Sequence, residues 1–277
     1  MKVLISADME GATGVTWPAD VEPGTEQWQR CRRMFTSDVN AAIAGFFEAG
    51  TTEVLVNEAH STMRNLLLEE LDGRATMLTG RHKDLSMVEG IQHPDVEAVA
   101  FVGYHAGAGT EGVLAHTYLP NSITGVWVNG TPASEGALNT LVAAEYGVPV
   151  VLVTGDDRAC DDAARYAPEA RTAVVKEYVS RYAAVCRPPS VTAATIQAAA
   201  ARAGKLAGRR EAAPGMAYQV EVEVDAAQLA MAAAIVPTAE QIGERRVQFR
   251  SQTAYEMIRT FKTVTTMISA AVEDRYG

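Results

Sequence analysis

Short, almost wholly apolar runs alternate along the first two thirds of the chain with longer stretches whose apolar residues recur every third or fourth position. The runs at residues 2–7, 53–57, 96–104, 148–154 and 172–176 have the length and β-branched content of buried strands. Between the first two, "RRMFTSDVNAAIAGFFEAG" carries a helical period, so residues 26–49 are predicted as a helix that stops at Gly50. Residues 132–146 and 156–166 are predicted helical too. Strands separated by helices imply an α/β fold with a mostly parallel sheet flanked by helices.

The pattern changes after "CRPPS", where Pro188 and Pro189 interrupt any regular element. An alanine-rich helix is expected over 193–207. It leads to the alternating strand "YQVEVEV" (218–224), a helix, a strand in "RRVQFRS" and a long helix from Ala254. The expected organisation is a main α/β unit over 1–187 and a smaller C-terminal α+β subdomain over 188–277. No repeat of fixed period is present.

Charge narrows the choice of partners. With 24 basic against 34 acidic residues the 277-residue chain has a formal charge of -10 and no basic cluster, which argues against nucleic acid or an anionic membrane as its main partner. Cys31, Cys160 and Cys186 are odd in number, widely spaced and without a CxxC pair, so neither a disulfide framework nor a cysteine zinc site is expected, and a reducing cytoplasm fits. The apolar run before Asp8 is too short for the core of a secretion leader. The longest apolar stretch, around 226–236, is too short to span a bilayer.

In open α/β sheets ligands gather at the carboxyl ends of strands, and there the chain collects metal-ligating side chains. "VLISADMEG" delivers Asp8 and Glu10, "EVLVNEAH" delivers His60, and "AVAFVGYH" delivers His105; Glu135 opens the helix after the turn "VNGTP". Each has an ordinary structural explanation taken singly, such as a carboxylate complementing a helix dipole. Together, two of only five histidines and three carboxylates fall at one sheet edge. Two carboxylates at the end of a buried strand also need a positive partner. Mixed oxygen and nitrogen donors suit zinc or manganese better than magnesium or calcium. Five ligands exceed one zinc's usual four, but they fit two ions about 3.5 Å apart if one carboxylate bridges, and Asp8 is the natural bridge.

"GAGTEG" (107–112) matches the dinucleotide pattern GxGxxG and follows a strand. The segment after it, "VLAHTYLPNSITG", holds a proline and no helical period, so the helix that a phosphate cradle needs is missing. These glycines are read as letting a loop pass close to the site. His116, eleven residues beyond His105, is either a core histidine or a general acid, general base or nucleophile. His82 and His93 lie in polar, turn-like settings and are read as solvated. "TGDDRAC" (154–160) fits a helix start or a site equally well.

Five ordered blocks, "SADMEGATG", "EVLVNEAHSTMRN", "FVGYHAGAGTEGVLAHT", "VNGTPASEGALN" and "VPVVLVTGDDRA", resemble those of the DppA-type zinc-dependent D-aminopeptidases. The likeness runs closely to about Lys176 and more loosely over the tail. It implies that Asp8, Glu10, His60, His105 and Glu135 bind two zinc ions, with Asp8 bridging, and that His116 is a catalytic residue. It further implies removal of the N-terminal residue from short D-amino-acid peptides, and assembly into rings of ten subunits whose sites face an inner chamber. Metal-assisted amide hydrolysis is the resulting expectation. Two rival readings are a nucleotide-binding module built on residues 107–112 and a non-catalytic, metal-binding, ring-forming scaffold.

Overall fold

A computed structural model describes residues 1–213 and 215–273. In chain order the elements are β1 (Lys2–Ala7), α1 (Pro18–Val21), α2 (Glu26–Glu48), β2 (Glu53–Glu58), β3 (Ala75–Leu78), β4 (Val96–Val102), β5 (Ile123–Val128), β6 (Thr131–Pro132), α3 (Glu135–Glu145) and β7 (Val150–Asp156). They continue with α4 (Asp157–Tyr166), β8 (Arg171–Ser180), β9 (Ala183–Cys186), α5 (Pro189–Ala203), β10 (Tyr218–Val224), α6 (Ala227–Ala233), β11 (Ala239–Gly243), β12 (Arg246–Ser251) and α7 (Ala254–Ala270).

The main sheet has the order β3-β2-β1-β4-β7-β8-β9, parallel throughout except for the terminal β8–β9 hairpin. From β1 the chain winds outward through β2 and β3, then crosses back to β4 on the other side of β1. That reversal leaves a crevice at the carboxyl ends of β1 and β4, where neighbouring connections diverge to opposite faces. Helix α2, begun by a Thr25 cap and amphipathic over six turns, packs on one face beside α5. Their apolar residues, among them Phe35, Ile43, Phe46, Ile196 and Ala200, form one core with Val3, Ile5 and Val54. A second core on the opposite face joins Leu4, Val99 and Phe101 to α3, α7 and a second sheet.

The second sheet is antiparallel, of order β11-β12-β10-β5-β6. The alternating strand predicted at 218–224 is its centre, with Val220, Val222 and Val224 buried. It also takes β5 and β6 from "SITGVWVNGTP", so this second sheet is shared across the boundary expected at residue 187, and α5, just beyond that boundary, packs with the main sheet. The helix expected over 132–146 is narrower: β6 occupies its start, and α3 begins only where Ser134 caps it. Similarly, α5 begins at the proline that was read as a breaker, because a proline at the first helical position costs no hydrogen bond. Among the described residues no helix is long and apolar enough to cross a membrane.

Candidate metal centre

The crevice between β1 and β4 brings together all six side chains singled out in the sequence. Asp8 and Glu10 follow β1, His60 follows β2, His105 and His116 lie in the loop after β4, and Glu135 is the first residue of α3. All six are buried. The His60 Nδ1 atom lies 2.8 Å from Glu10 Oε2 and 3.5 Å from Asp8 Oδ1. His105 Nε2 lies 3.3 Å from Asp8 Oδ2 and 3.6 Å from Glu135 Oε1. His116 Nε2 is 3.8 Å from Glu10 Oε1 and 3.9 Å from Glu135 Oε1. Three overlapping trios could each hold a metal ion: Asp8–Glu10–His60, Asp8–His105–Glu135 and Glu10–His105–His116. Asp8 belongs to two of them.

Each imidazole is fixed by a hydrogen bond on its far nitrogen. His60 Nε2 donates to the Val21 carbonyl at 2.9 Å, His105 Nδ1 to Ala106 at 3.0 Å and His116 Nδ1 to Leu114 at 2.8 Å. In the neutral ring the other nitrogen then carries a lone pair, and all three lone pairs face the carboxylates. Asp8 Oδ2, Glu10 Oε2 and His105 Nε2 are buried without a hydrogen-bond partner. A cluster of buried acceptors aimed at common points is costly unless protons on the imidazoles or metal ions sit among them, and the mixed carboxylate and imidazole donor set suits metal ions.

Protonation reflects the same crowding. Burial pushes both His60 and His105 down, but Glu10 and Asp8 around the first and Glu135 and Asp8 around the second outweigh it, holding His60 well above its usual range and His105 up at about 10. For His116 burial wins, reinforced by His105, and brings it down to about 4. Burial raises Glu135 to about 7; His105 opposes this rise and Asp8 adds to it.

The loops that present these groups are packed main chain against main chain. Asp8 N–H donates to Val102 and Gly11 N–H to Gly103, each at 2.8 Å. A Cβ on Gly11 would lie 1.9 Å from the Tyr104 carbonyl oxygen, and one on Gly103, whose φ is +75°, 2.0 Å from that of Asp8. Ser61, Leu114 and Tyr118, beside His60 and His116, hold positive φ values of 48°, 54° and 60°. Such backbone is strained and persists only where surrounding bonds fix it. Here Leu114 N–H donates to Arg181 at 2.8 Å and Tyr118 N–H to Glu135 Oε1 at 2.7 Å.

A family model described as D-aminopeptidase matches residues 1–263. The chain belongs to the D-aminopeptidase family. A D-aminopeptidase of Bacillus subtilis (strain 168) is 40% identical over 190 residues, 69% of each chain. The solved structure of the zinc-dependent D-aminopeptidase DppA from Bacillus subtilis, a self-compartmentalizing protease, superposes with a TM-score of 0.92 at 34% identity, covering 97% of this chain and 98% of that one. The α/β fold with its mostly parallel sheet is therefore the fold of a D-aminopeptidase.

Several residues that shape the candidate site of this D-aminopeptidase were not recognised in the sequence. Asn65 donates to the His60 carbonyl at 2.8 Å and accepts from Trp28 Nε1 at 3.1 Å, fixing the turn after β2. Lys176, read only as the end of a strand, is buried beneath the Asp8–Glu10 loop. Neither residue type carries a signal there, since Trp28 lies 37 positions from Asn65 and Glu10 lies 166 from Lys176. "TGDDRAC" has a structural role: Asp156 caps α4 through Ala159 N–H at 2.7 Å and accepts from Val113 N–H at 2.6 Å. No helix follows residues 107–112 before α3, and a Cβ on Gly107 would press on Ser134 at 3.1 Å, so this loop passes close to the start of α3. His82 and His93 are exposed, and the three cysteines are free thiols.

Proposed function

We propose that the protein is a dinuclear zinc aminopeptidase that removes the N-terminal residue from short D-amino-acid peptides. Zinc is the metal named for the DppA structure that the chain resembles over nearly its whole length. The observation that carries the reading is the set of buried carboxylate and imidazole atoms facing one another without hydrogen-bond partners in the β1–β4 crevice. Asp8, Glu10 and His60 would hold one ion and Asp8, His105 and Glu135 the other, with Asp8 shared. When bound, such ions polarise the scissile carbonyl and lower the pKa of a water molecule.

The chain's own contribution to turnover centres on His116. Its Nδ1–H is committed to the Leu114 carbonyl, and burial beside His105 keeps the ring neutral at pH 7, so Nε2 is free to accept a proton. We assign it the general base that takes the proton from the attacking water and then, as imidazolium, gives it to the leaving amine. As the C–O bond forms and the C–N bond breaks, no net proton is gained or lost. Glu10 and Glu135, each within 4 Å of His116 Nε2, stabilise the transient imidazolium.

The relative's self-compartmentalizing character supports a homo-oligomer, and a ring of ten subunits around an inner chamber is the assembly we propose. The free thiols suit a reducing cytoplasm. Zinc analysis combined with hydrolysis of D- and L-aminoacyl p-nitroanilides tests the function directly. Zinc-loaded protein inactive on every D-substrate would overturn it.

A further inference from the structure

The loop that carries Asp8 and Glu10 bends around one buried ammonium group. Lys176, at the point of β8 in register with Asp156 of β7, has no exposed surface. Its Nζ donates to the carbonyls of Glu10 at 2.6 Å, Ala12 at 3.0 Å and Val15 at 2.6 Å. All three ammonium protons are thereby used. Among the described residues no carboxylate lies within ion-pair distance of it. A buried charge hydrogen-bonded only to neutral carbonyls, with the Asp156, Asp38 and Glu10 carboxylates acting on it from farther off, is an expensive way to hold a loop, and an apolar side chain would serve if filling space were enough. What the ammonium adds is convergence: three carbonyl dipoles that would repel one another point at a single centre.

The two carboxylates of this loop are held by different means. Asp8 is anchored from the main sheet, since its N–H donates to Val102 at the end of β4. On the far side of Glu10, Asp38 accepts from both the N–H and the Oγ1 of Thr13, each at 2.8 Å. Glu10 lies between these anchors, and its carbonyl is the first that Lys176 grips. Fixing that carbonyl fixes the backbone from which the Glu10 side chain reaches His60 and His116.

We propose that Lys176 is a positioning residue that presets Glu10 for metal binding before any metal arrives. The inference rests on the proposed ligand role of Glu10. Its consequence is selective: loss of the ammonium should loosen the ion bound by Asp8, Glu10 and His60 and spare the one bound by Asp8, His105 and Glu135.

Lys176→Met keeps an unbranched side chain of nearly the same length and removes the charge. Zinc titration of the metal-free variant against a chromophoric chelator should show one site of wild-type affinity and one weakened roughly tenfold or more, the usual cost of losing a residue that orients a ligand. Two sites within threefold of wild type, or both lost together, would overturn the proposal. Hydrogen exchange gives a readout without metal. In metal-free wild-type protein the amides of residues 11–15 should be as protected as in the zinc-loaded form, and in metal-free Lys176→Met they should exchange at least tenfold faster while β4 is unchanged. If the variant does not fold, the wild-type comparison alone decides: protection that appears only with zinc refutes presetting. A wild-type chain that takes up fewer than two zinc ions counts against the proposed function, and the exchange data still decide the role of Lys176.

Discussion

His105 and His116 stack with ring centroids 4.2 Å apart and planes 7° from parallel, yet they titrate at opposite ends of the histidine range. Glu135 and Asp8 keep the first ring charged in the absence of metal. The second lies farther from the carboxylates and directly against its charged neighbour, so burial keeps it neutral. Parallel contact between a cationic and a neutral imidazole separates two roles: one ring suited to be held by a cation, the other suited to accept a proton.

Removal of Asp8 should therefore cost more metal than removal of His60. Asp8→Ala is expected to lose both zinc ions, because the carboxylate belongs to two ligand trios, whereas His60→Ala should empty mainly one site. Elemental analysis of the two purified variants checks this. Equal losses would mean that the bridging carboxylate is misassigned.

His116→Ala should keep its zinc and lose turnover by a factor on the order of 10² to 10⁴, the usual contribution of a general acid or base. Metal content and the hydrolysis rate of a D-alanine anilide at saturating substrate must be measured together. Wild-type activity would make His116 structural, and metal loss would make it a ligand. An acyl adduct on its ring in acid-quenched reactions would make it the nucleophile.

Zinc uptake should release protons. In the metal-free protein His60 and His105 are held above neutral pH, so both are charged at pH 7, but a zinc ligand must be neutral. Glu135, raised to about 7, is about half protonated there as well, so binding is expected to expel between about two and three protons per chain at pH 7, and to tighten as pH rises toward 9. Calorimetry in buffers of different ionisation enthalpy gives the proton count. An affinity independent of pH would rule out this protonation state.

Asp38 should make the fold less stable as pH rises through the weakly acidic range. Burial lifts its carboxyl to about 6 from an unfolded value near 3.8, against the lowering effect of its bonds to Thr13. The native state then binds more protons than the unfolded state between those values, so the stabilisation is fully present below about pH 4 and lost as pH passes 6. About two units on a buried group correspond to a change on the order of 3 kcal/mol. Denaturant unfolding of wild type and Asp38→Asn from pH 4 to 7 should differ by a sloping curve that flattens above 6. A flat difference throughout would show that Asp38 has an ordinary pKa.

How much of this could be read in advance depended on how local the cause was. Asp8, Glu10, His60 and His105 each follow a run of buried β-branched residues, and strand ends at a sheet's reversal point are where ligands collect, so their convergence was legible. Strand 218–224 was legible because its alternation matches one buried face. By contrast, β5 was missed because "SITGVWV" follows a glycine-rich loop and joins a sheet whose other long strands lie far along the chain, at pairings such as Val222 with Val126. Lys176 and Asn65 were invisible for a related reason. A polar residue whose partner is a distant loop, as for Lys176, or a distant side chain, as for Asn65, looks in one dimension like any surface lysine or asparagine.

The nesting of Gly11 and Gly103 against the carbonyls of Tyr104 and Asp8 also bears on how such a site can be altered. With under 2.1 Å between a would-be side chain and its neighbour's backbone, neither position can accept even a methyl group without moving a carboxylate or an imidazole. The ligand frame is thus a sealed casting, closed to adjustment from within. An engineer who wants a different substrate preference must leave that casting alone and work outside it.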